Sequence, residues 1–168
     1  MFHFFDNAQA TSPTTRAQWM ALLARAPQDL MDQALAAYTA SPPVWLRKPE
    51  IGLMMVQGRV GGTGQRFNLG EMTVTRCALR LGHADAQPTV GVSYVMGRNH
   101  RQAHLAAVAD ALLQDPAQFA DLQTRLLNPI RAHLLQAQTK RHQEAQSTKV
   151  DFFTVAREAG GQEEGDEA

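Results

Sequence analysis

"QGRVGGTGQRFNLGEMTVTR", residues 57–76, decides how the middle of the chain folds. Its twenty positions hold five glycines and three arginines. Glycine adopts positive φ without strain and lets backbone amides approach a partner, while arginine binds anions through a planar fork. No GxxxxGK[ST] can be drawn through the stretch. "GTGQRF" is no dinucleotide fingerprint either, because it ends in Phe67 and leads into a strand rather than a helix. Three readings stay open: a hairpin loop whose glycines take positive φ, a backbone nest that binds an anion, and a loop fitted against a partner protein.

Outward from this stretch the sequence is β-prone. "VWLRK" (44–48), "IGLMMVQGRV" (51–60), "EMTVTRCALRL" (71–81) and "TVGVSYVMGR" (89–98) are rich in β-branched and aliphatic residues. "KPE" (48–50), "GGTGQRFNLG" (61–70) and "GHADAQP" (82–88) punctuate them as turns. The pattern predicts an antiparallel meander of three to four strands, with 44–48 at an edge.

Helical periodicity flanks the sheet on both sides. Ser12 as N-cap and Pro13 at the first helical position open a helix with Trp19, Leu22, Leu23 and Ala26 on its apolar stripe. A second helix restarts at Pro27, with Leu30, Ala34, Leu35 and Tyr38 on one face, and "SPP" (41–43) ends it. After the sheet, Asn99 and Gln102 have the spacing of a capping box, followed by Leu105, Val108, Ala109 and Leu112. Asp115 and Pro116 start another helix, with Phe119, Leu122 and Leu126 facing inward. Pro129 is expected to break or kink the path before a polar, mostly exposed helix. The fold class is therefore α+β: N-terminal helices, the antiparallel sheet, C-terminal helices and a short C-terminal docking segment. A single domain spans 1–157, with 1–11 flexible and 158–168 a disordered acidic tail.

Composition narrows the function. At 168 residues the chain is long enough for one domain with a real core. With 44% hydrophobic and 19% charged residues and no apolar run long enough to span a bilayer, it reads as soluble. "MFHFFDNAQATSP" lacks the basic and long apolar regions of a secretory signal, so the expected location is cytoplasmic. The lone Cys77 forms no internal disulfide and reads as a buried structural thiol. Net charge is zero, yet Arg47 to Arg101 contains eight Lys/Arg against three Asp/Glu, and residues 158–168 carry five acids. The basic middle raises a small nucleic-acid-binding module as one alternative. Zero net charge and the scarcity of aromatics among the arginines, with only Phe67 and Tyr94 near, argue against it.

No self-sufficient catalytic constellation is visible. His100 and His104 share a helix face at i, i+4, but HExxH is absent and a metal site needs further ligands. His133 and His142 lie on the polar helix and His83 in a turn. Asp110, between apolar neighbours, is either a buried anchor for the sheet arginines or a catalytic carboxylate. Neither catalytic nor metal-binding residues are expected.

Three segments together, "GRVGGTGQRFNLGEMTVTRCALRL", "VGVSYVMGR" and "VDFFTVARE", resemble the PhnG subunit family of bacterial carbon–phosphorus lyase over about Arg16 to Arg157. The resemblance implies an accessory subunit of a multisubunit complex. That complex displaces adenine from ATP with an alkylphosphonate, giving a ribose 1-phosphonate 5-triphosphate, and later cleaves the carbon–phosphorus bond by radical chemistry housed in other subunits. ATP and alkylphosphonate are then substrates of the complex, with no cofactor bound by this chain alone. Its partners are the other subunits, and neither membrane nor nucleic acid. The rival reading within the same complex is a pure scaffold without substrate contact. Val150, Asp151, Phe152 and Phe153 are the expected partner-docking patch.

Strand arithmetic gives an expectation for the arginines. If 61–70 and 82–88 close the two hairpins, Val60 faces Glu71, Leu81 faces Thr89, and Arg59 and Arg98 flank Met72 about 10 Å apart. Arg76 shares that face. Arg59, Gly61, Gly62, Thr63, Gly64, Arg66, Arg76 and Arg98 form the expected anion- or partner-binding set. A one-residue slip would send an arginine to the other face.

Overall fold

The hairpin closed by the glycine-rich stretch is longer and tighter than the sequence suggests. In the computed structural model, which describes residues 15–38, 42–82 and 88–148, strand β1 runs Val44–Arg59 and β2 runs Arg66–Leu81. A single 3-10 turn, Val60–Gly62, begins the connection. Arg66 to Gly70, expected in the loop, belong to β2 instead. The turn closes this early because Gly61 and Gly62 take left-handed φ of 58° and 82°, and the Gly64 amide donates to the Val60 carbonyl at 2.8 Å.

Strand β3, Thr89–Met96, completes an antiparallel sheet of order β1-β2-β3. The segment 44–48 is not a separate strand. Pro49 lies inside β1 between the register shifts around Arg47 and Glu50, on the outer edge of the sheet, where a missing amide breaks no ladder. "KPE" therefore marks a bulged edge rather than a turn.

Alternation assigns the two faces. Thr75, Cys77 and Leu79 of β2 and Gly91, Ser93 and Val95 of β3 are buried against the helices. Arg76, Arg80, Tyr94 and Met96 stand on the opposite face, which no described element covers.

Helix α3, His100–Leu113, is the centre of the core. The Asn99 side chain caps it by accepting from the Gln102 amide at 3.0 Å, as the sequence predicts. Residues Leu105 to Leu113 are buried without a polar face, because α3 lies between the sheet on one side and other helices on the rest. Its closest approach to β3 is at Gly91, where a Cβ would stand 1.9 Å from the Ala107 carbonyl oxygen.

Helices α1, Arg16–Leu23, and α2, Gln28–Leu35, pack on α3. Thr15 holds the N-cap of α1 and donates its amide to the Gln18 side chain at 2.8 Å; Ser12 and Pro13 lie outside the described residues. Met31, fully buried, joins Ala34 and Leu35 on the inner face of α2.

Asp115 caps α4, Pro116–Leu122, accepting from the Ala117 amide at 2.9 Å. Pro129 does not break the path. A π-helical stretch, Gln123–Leu127, carries the chain into α5, Asn128–Ser147, so the proline falls in the first turn of α5, where no amide is needed. Beyond Ile130, which is buried, α5 is polar and largely exposed.

Candidate functional site

Because β3 reaches only as far as Met96, opposite Val74, the distal halves of β1 and β2 leave the sheet as a two-stranded arm. The arm carries the glycine turn at its tip, and Gly58 is its single buried residue.

Arg59 and Arg66 face each other directly at the end of the ladder, both exposed. Arg59 donates to the Gly64 carbonyl at 3.2 Å, which holds it across the turn. Thr63, exposed, donates its amide to the Val60 carbonyl. Gly64 is required on steric grounds: a Cβ there would lie 2.7 Å from the Val60 oxygen. The tip thus gathers Arg59, Gly61, Gly62, Thr63, Gly64 and Arg66.

Arg98 does not join them, which corrects the expected register. Val60 opens the turn rather than facing Glu71; Glu71 pairs with Met55, and Met72 with Met54, not with Arg59. A bulge between Val56 and Gln57 adds a further shift. Leu81 does face Thr89, so the second hairpin closes as expected. Yet β3 ends before Arg98 can oppose Met72. Gly97 turns away at φ 93° and donates its amide to the Thr73 carbonyl at 2.9 Å. Arg98 is exposed in the link to α3. Arg59 lies seven positions beyond the Gly52–Val74–Met96 row, so the two arginines are roughly 20 Å apart rather than 10 Å.

Arg76 stays on the uncovered face of the three-stranded part. Its Nε donates to Glu50 at 2.7 Å, and Glu50 also accepts from Arg47 at 2.8 Å. The Arg76 guanidinium, then Arg47, holds the Glu50 carboxyl below its usual range. Arg76 is neutralised, whereas Arg66 and Arg98 have no ion-pair partner among the described residues.

Asp110 is neither an anchor for the sheet arginines nor free for catalysis. Fully buried, it accepts from Arg16 Nε at 3.2 Å, Arg16 Nη2 at 2.8 Å, Trp19 Nε1 at 2.8 Å and the Val92 amide at 2.9 Å. It ties α1 and the β3 backbone to α3, and its hydrogen bonds raise the Arg16 pKa above the ordinary guanidinium value.

His100 is exposed, whereas His104 turns inward onto the Trp45 ring, with centroids 5.0 Å apart. Its Nε2 is buried with no hydrogen-bond partner, and burial, then Arg101, lowers its pKa below 6.5. Arg101 itself pairs with Asp32. Burial pushes the Cys77 thiol up to about 11, which leaves it an inert core group. Among the described residues no group of three or more His, Cys, Asp or Glu could hold a metal ion, and no helix is long and apolar enough to cross a membrane. Val150, Asp151, Phe152 and Phe153 lie outside the described residues.

What the motif reading missed is the apolar surface of the arm. Leu53, Met54, Met55, Val60, Phe67 and Leu69 are all exposed. The signal was present as a mismatch in length: the runs that form β1 and β2 extend well beyond what the eight residues of β3 can pair.

Two comparisons bear on this arrangement. The family described as "Phosphonate metabolism protein PhnG" matches residues 14–158. The "Alpha-D-ribose 1-methylphosphonate 5-triphosphate synthase subunit PhnG" of Rhizobium meliloti (strain 1021) is 39% identical over 143 residues, covering 84% of this chain and 88% of that protein.

Proposed function

The chain belongs to the PhnG family of phosphonate metabolism proteins, and from that we infer that it is an accessory subunit of an α-D-ribose 1-methylphosphonate 5-triphosphate synthase within the carbon–phosphorus lyase complex. The similarity to a named subunit over most of both chains carries this reading. The reaction joins a phosphonate oxygen to C1 of the ATP ribose and expels adenine. Its substrates are polyanionic, so the assembled site needs cations and leaving-group chemistry that the described residues do not gather in one place. The other subunits of the complex supply the rest, and the proposed consumption of ATP fits an assembly that works in the cytoplasm.

The tip pair Arg59 and Arg66, with Gly61, Gly62, Thr63 and Gly64, is one cationic place on the chain; Arg98 is another. Both serve anion or partner contact in the complex. Two observations support this role: these guanidinium groups are exposed, and Arg66 and Arg98 are not spent on internal carboxylates, as that of Arg76 is.

Adenine release from ATP plus methylphosphonate tests the reading. The purified chain alone gives none, the remaining subunits without it give none, and recombining them restores release. Steady adenine release by this chain alone, or full activity without it, overturns the assignment. Arg98→Gln should lower release about tenfold with the complex intact, the size of one lost charge-assisted contact. A scaffold without substrate contact would lose assembly and activity together.

A further inference from the structure

The arm exposes apolar side chains on both of its faces. On the face shared with Arg76, Met54 pairs with Met72, and the next row toward the body ends in Met96. Phe67 and Leu69 lie over Gly58 on the same side, where a Cβ would come within 3.6 Å and 2.8 Å of them. On this face Leu69 is 63% exposed and Met96 70%; Leu53, opposite Thr73 on the other face, is 63% exposed. This strip continues into the uncovered face of the sheet through Tyr94 and Val90. Contiguous apolar surface of this extent marks a contact with another molecule, and flexible methionines suit a surface that must fit a partner.

The edges point the same way. Residues 51–58 of β1, "IGLMMVQG", form an outer strand with no charge and no proline. Proteins blunt such edges with lysine, proline or a cover. Here the proline and two of the register shifts fall lower down, around Pro49, and the third, at Val56/Gln57, has its extra residue Leu69 on β2, so the distal edge of β1 stays open. A two-stranded ribbon without a third strand or a helix beneath it is marginal in water. The arm extends about 27 Å, eight residues at about 3.4 Å each.

Charge selects the occupant. From Ile51 to Leu81 there are four arginines and one acid, Glu71. Arg76 is paired with Glu50, which leaves Arg59 and Arg66 to give the tip a positive end. A second copy fits badly. Antiparallel pairing of two β1 edges sets the Arg59 end of each against Glu50, whose carboxylate Arg76 and Arg47 already hold, with Arg47 and Lys48 beside it.

We propose that the arm of residues 51–72 is a docking element that inserts into an apolar cleft of a different subunit of the complex, with carboxylates at the closed end of that cleft receiving Arg59 and Arg66. This rests on the reading of the chain as a synthase subunit. The arm's distal side chains touch nothing in the core, so they can be changed without unfolding the chain.

The test co-expresses the full chain with the other synthase subunits and follows assembly by native mass measurement. Leu53→Glu/Phe67→Glu is expected to keep the circular dichroism and melting temperature of the wild type while weakening assembly at least tenfold. Arg59→Glu/Arg66→Glu is expected to weaken it and to abolish its sensitivity to salt. A photo-crosslinking amino acid at position 67 is expected to mark a non-identical subunit. Normal assembly of Leu53→Glu/Phe67→Glu overturns the proposal and leaves the synthase reading standing. A crosslink to a second copy, or to residues 149–158 of the same chain, also overturns it. Failure of the wild-type chain to assemble with those subunits overturns both.

Discussion

His104 is the clearest case of a side chain whose chemistry is set by its neighbours. Its imidazole is pressed onto Trp45, its Nε2 finds no partner, and Arg101 is nearby, so the fold disfavours the imidazolium. The folded pKa is below the unfolded value of about 6.5, so the unfolded chain takes up the proton first. This contribution to stability is complete above about pH 7 and is lost as pH falls through the unfolded and then the folded pKa. Urea midpoints should drop between about pH 7 and pH 5, and His104→Phe should remove most of that drop. An unchanged pH slope in the variant would show that other groups cause it. Asp32 and Glu50, both lowered by arginine partners, lose their contribution only below about pH 4.5, outside that window. In the sequence His104 appears only as half of an i, i+4 pair. Its inward turn depends on Trp45, fifty-nine residues earlier, and no local pattern reports that. Asp110 has the same lesson in the other direction. Its apolar flanks predict burial, but they do not reveal that its partner is Arg16 rather than a strand arginine.

At the scale of elements, β3 and α3 depend on one absent side chain. Gly91 allows α3 to settle on the strand, with Ala107 and Ala111 against it. Gly91→Ala forces the helix outward and disturbs the Ser93 hydroxyl, which donates to the Ala103 carbonyl at 2.6 Å. The expected cost is about 3 kcal/mol, the upper part of the range for overpacking a tight core, read as a fall in the denaturation midpoint. A midpoint within error of the wild type would mean that the contact relaxes freely. Capping explains which elements are legible. Asn99–Gln102 and Asp115–Pro116 announce α3 and α4 because the bonds that start a helix are local. The β1–β2 register was not legible for the complementary reason. The loop 61–70 reads as uniformly turn-like, but two positive-φ glycines close the chain by residue 65, and the remaining five residues extend β2. Shortening the turn moves every cross-strand pair along β1, and with it the place of Arg59.

For the whole molecule, the architecture divides into a core built around α3 and two projections, the arm and α5. The core follows from helical periodicity and caps, and so does the α+β class. The projections do not, because the periodicity of an exposed strand or helix does not say what its outer face meets. The cationic set is distributed accordingly: Arg59 and Arg66 at the far end of the arm, Arg98 beside the core, Arg76 tied up on the sheet.

The open edge of β1 also governs how much of this protein a cell keeps. A strand edge left open on its outer side, with no charge over residues 51–58, is the kind of surface that chaperones hold and proteases engage. A copy made in excess of its partners therefore displays its own signal for removal, and one that has docked hides it. Abundance should follow the supply of partner subunits rather than the rate of its own synthesis. In pulse–chase labelling the chain should turn over several-fold faster when expressed alone than with the other subunits, and Leu53→Glu/Phe67→Glu should turn over at one rate in both settings. Equal lifetimes for the wild type with and without partners would show that the edge is tolerated in the free state.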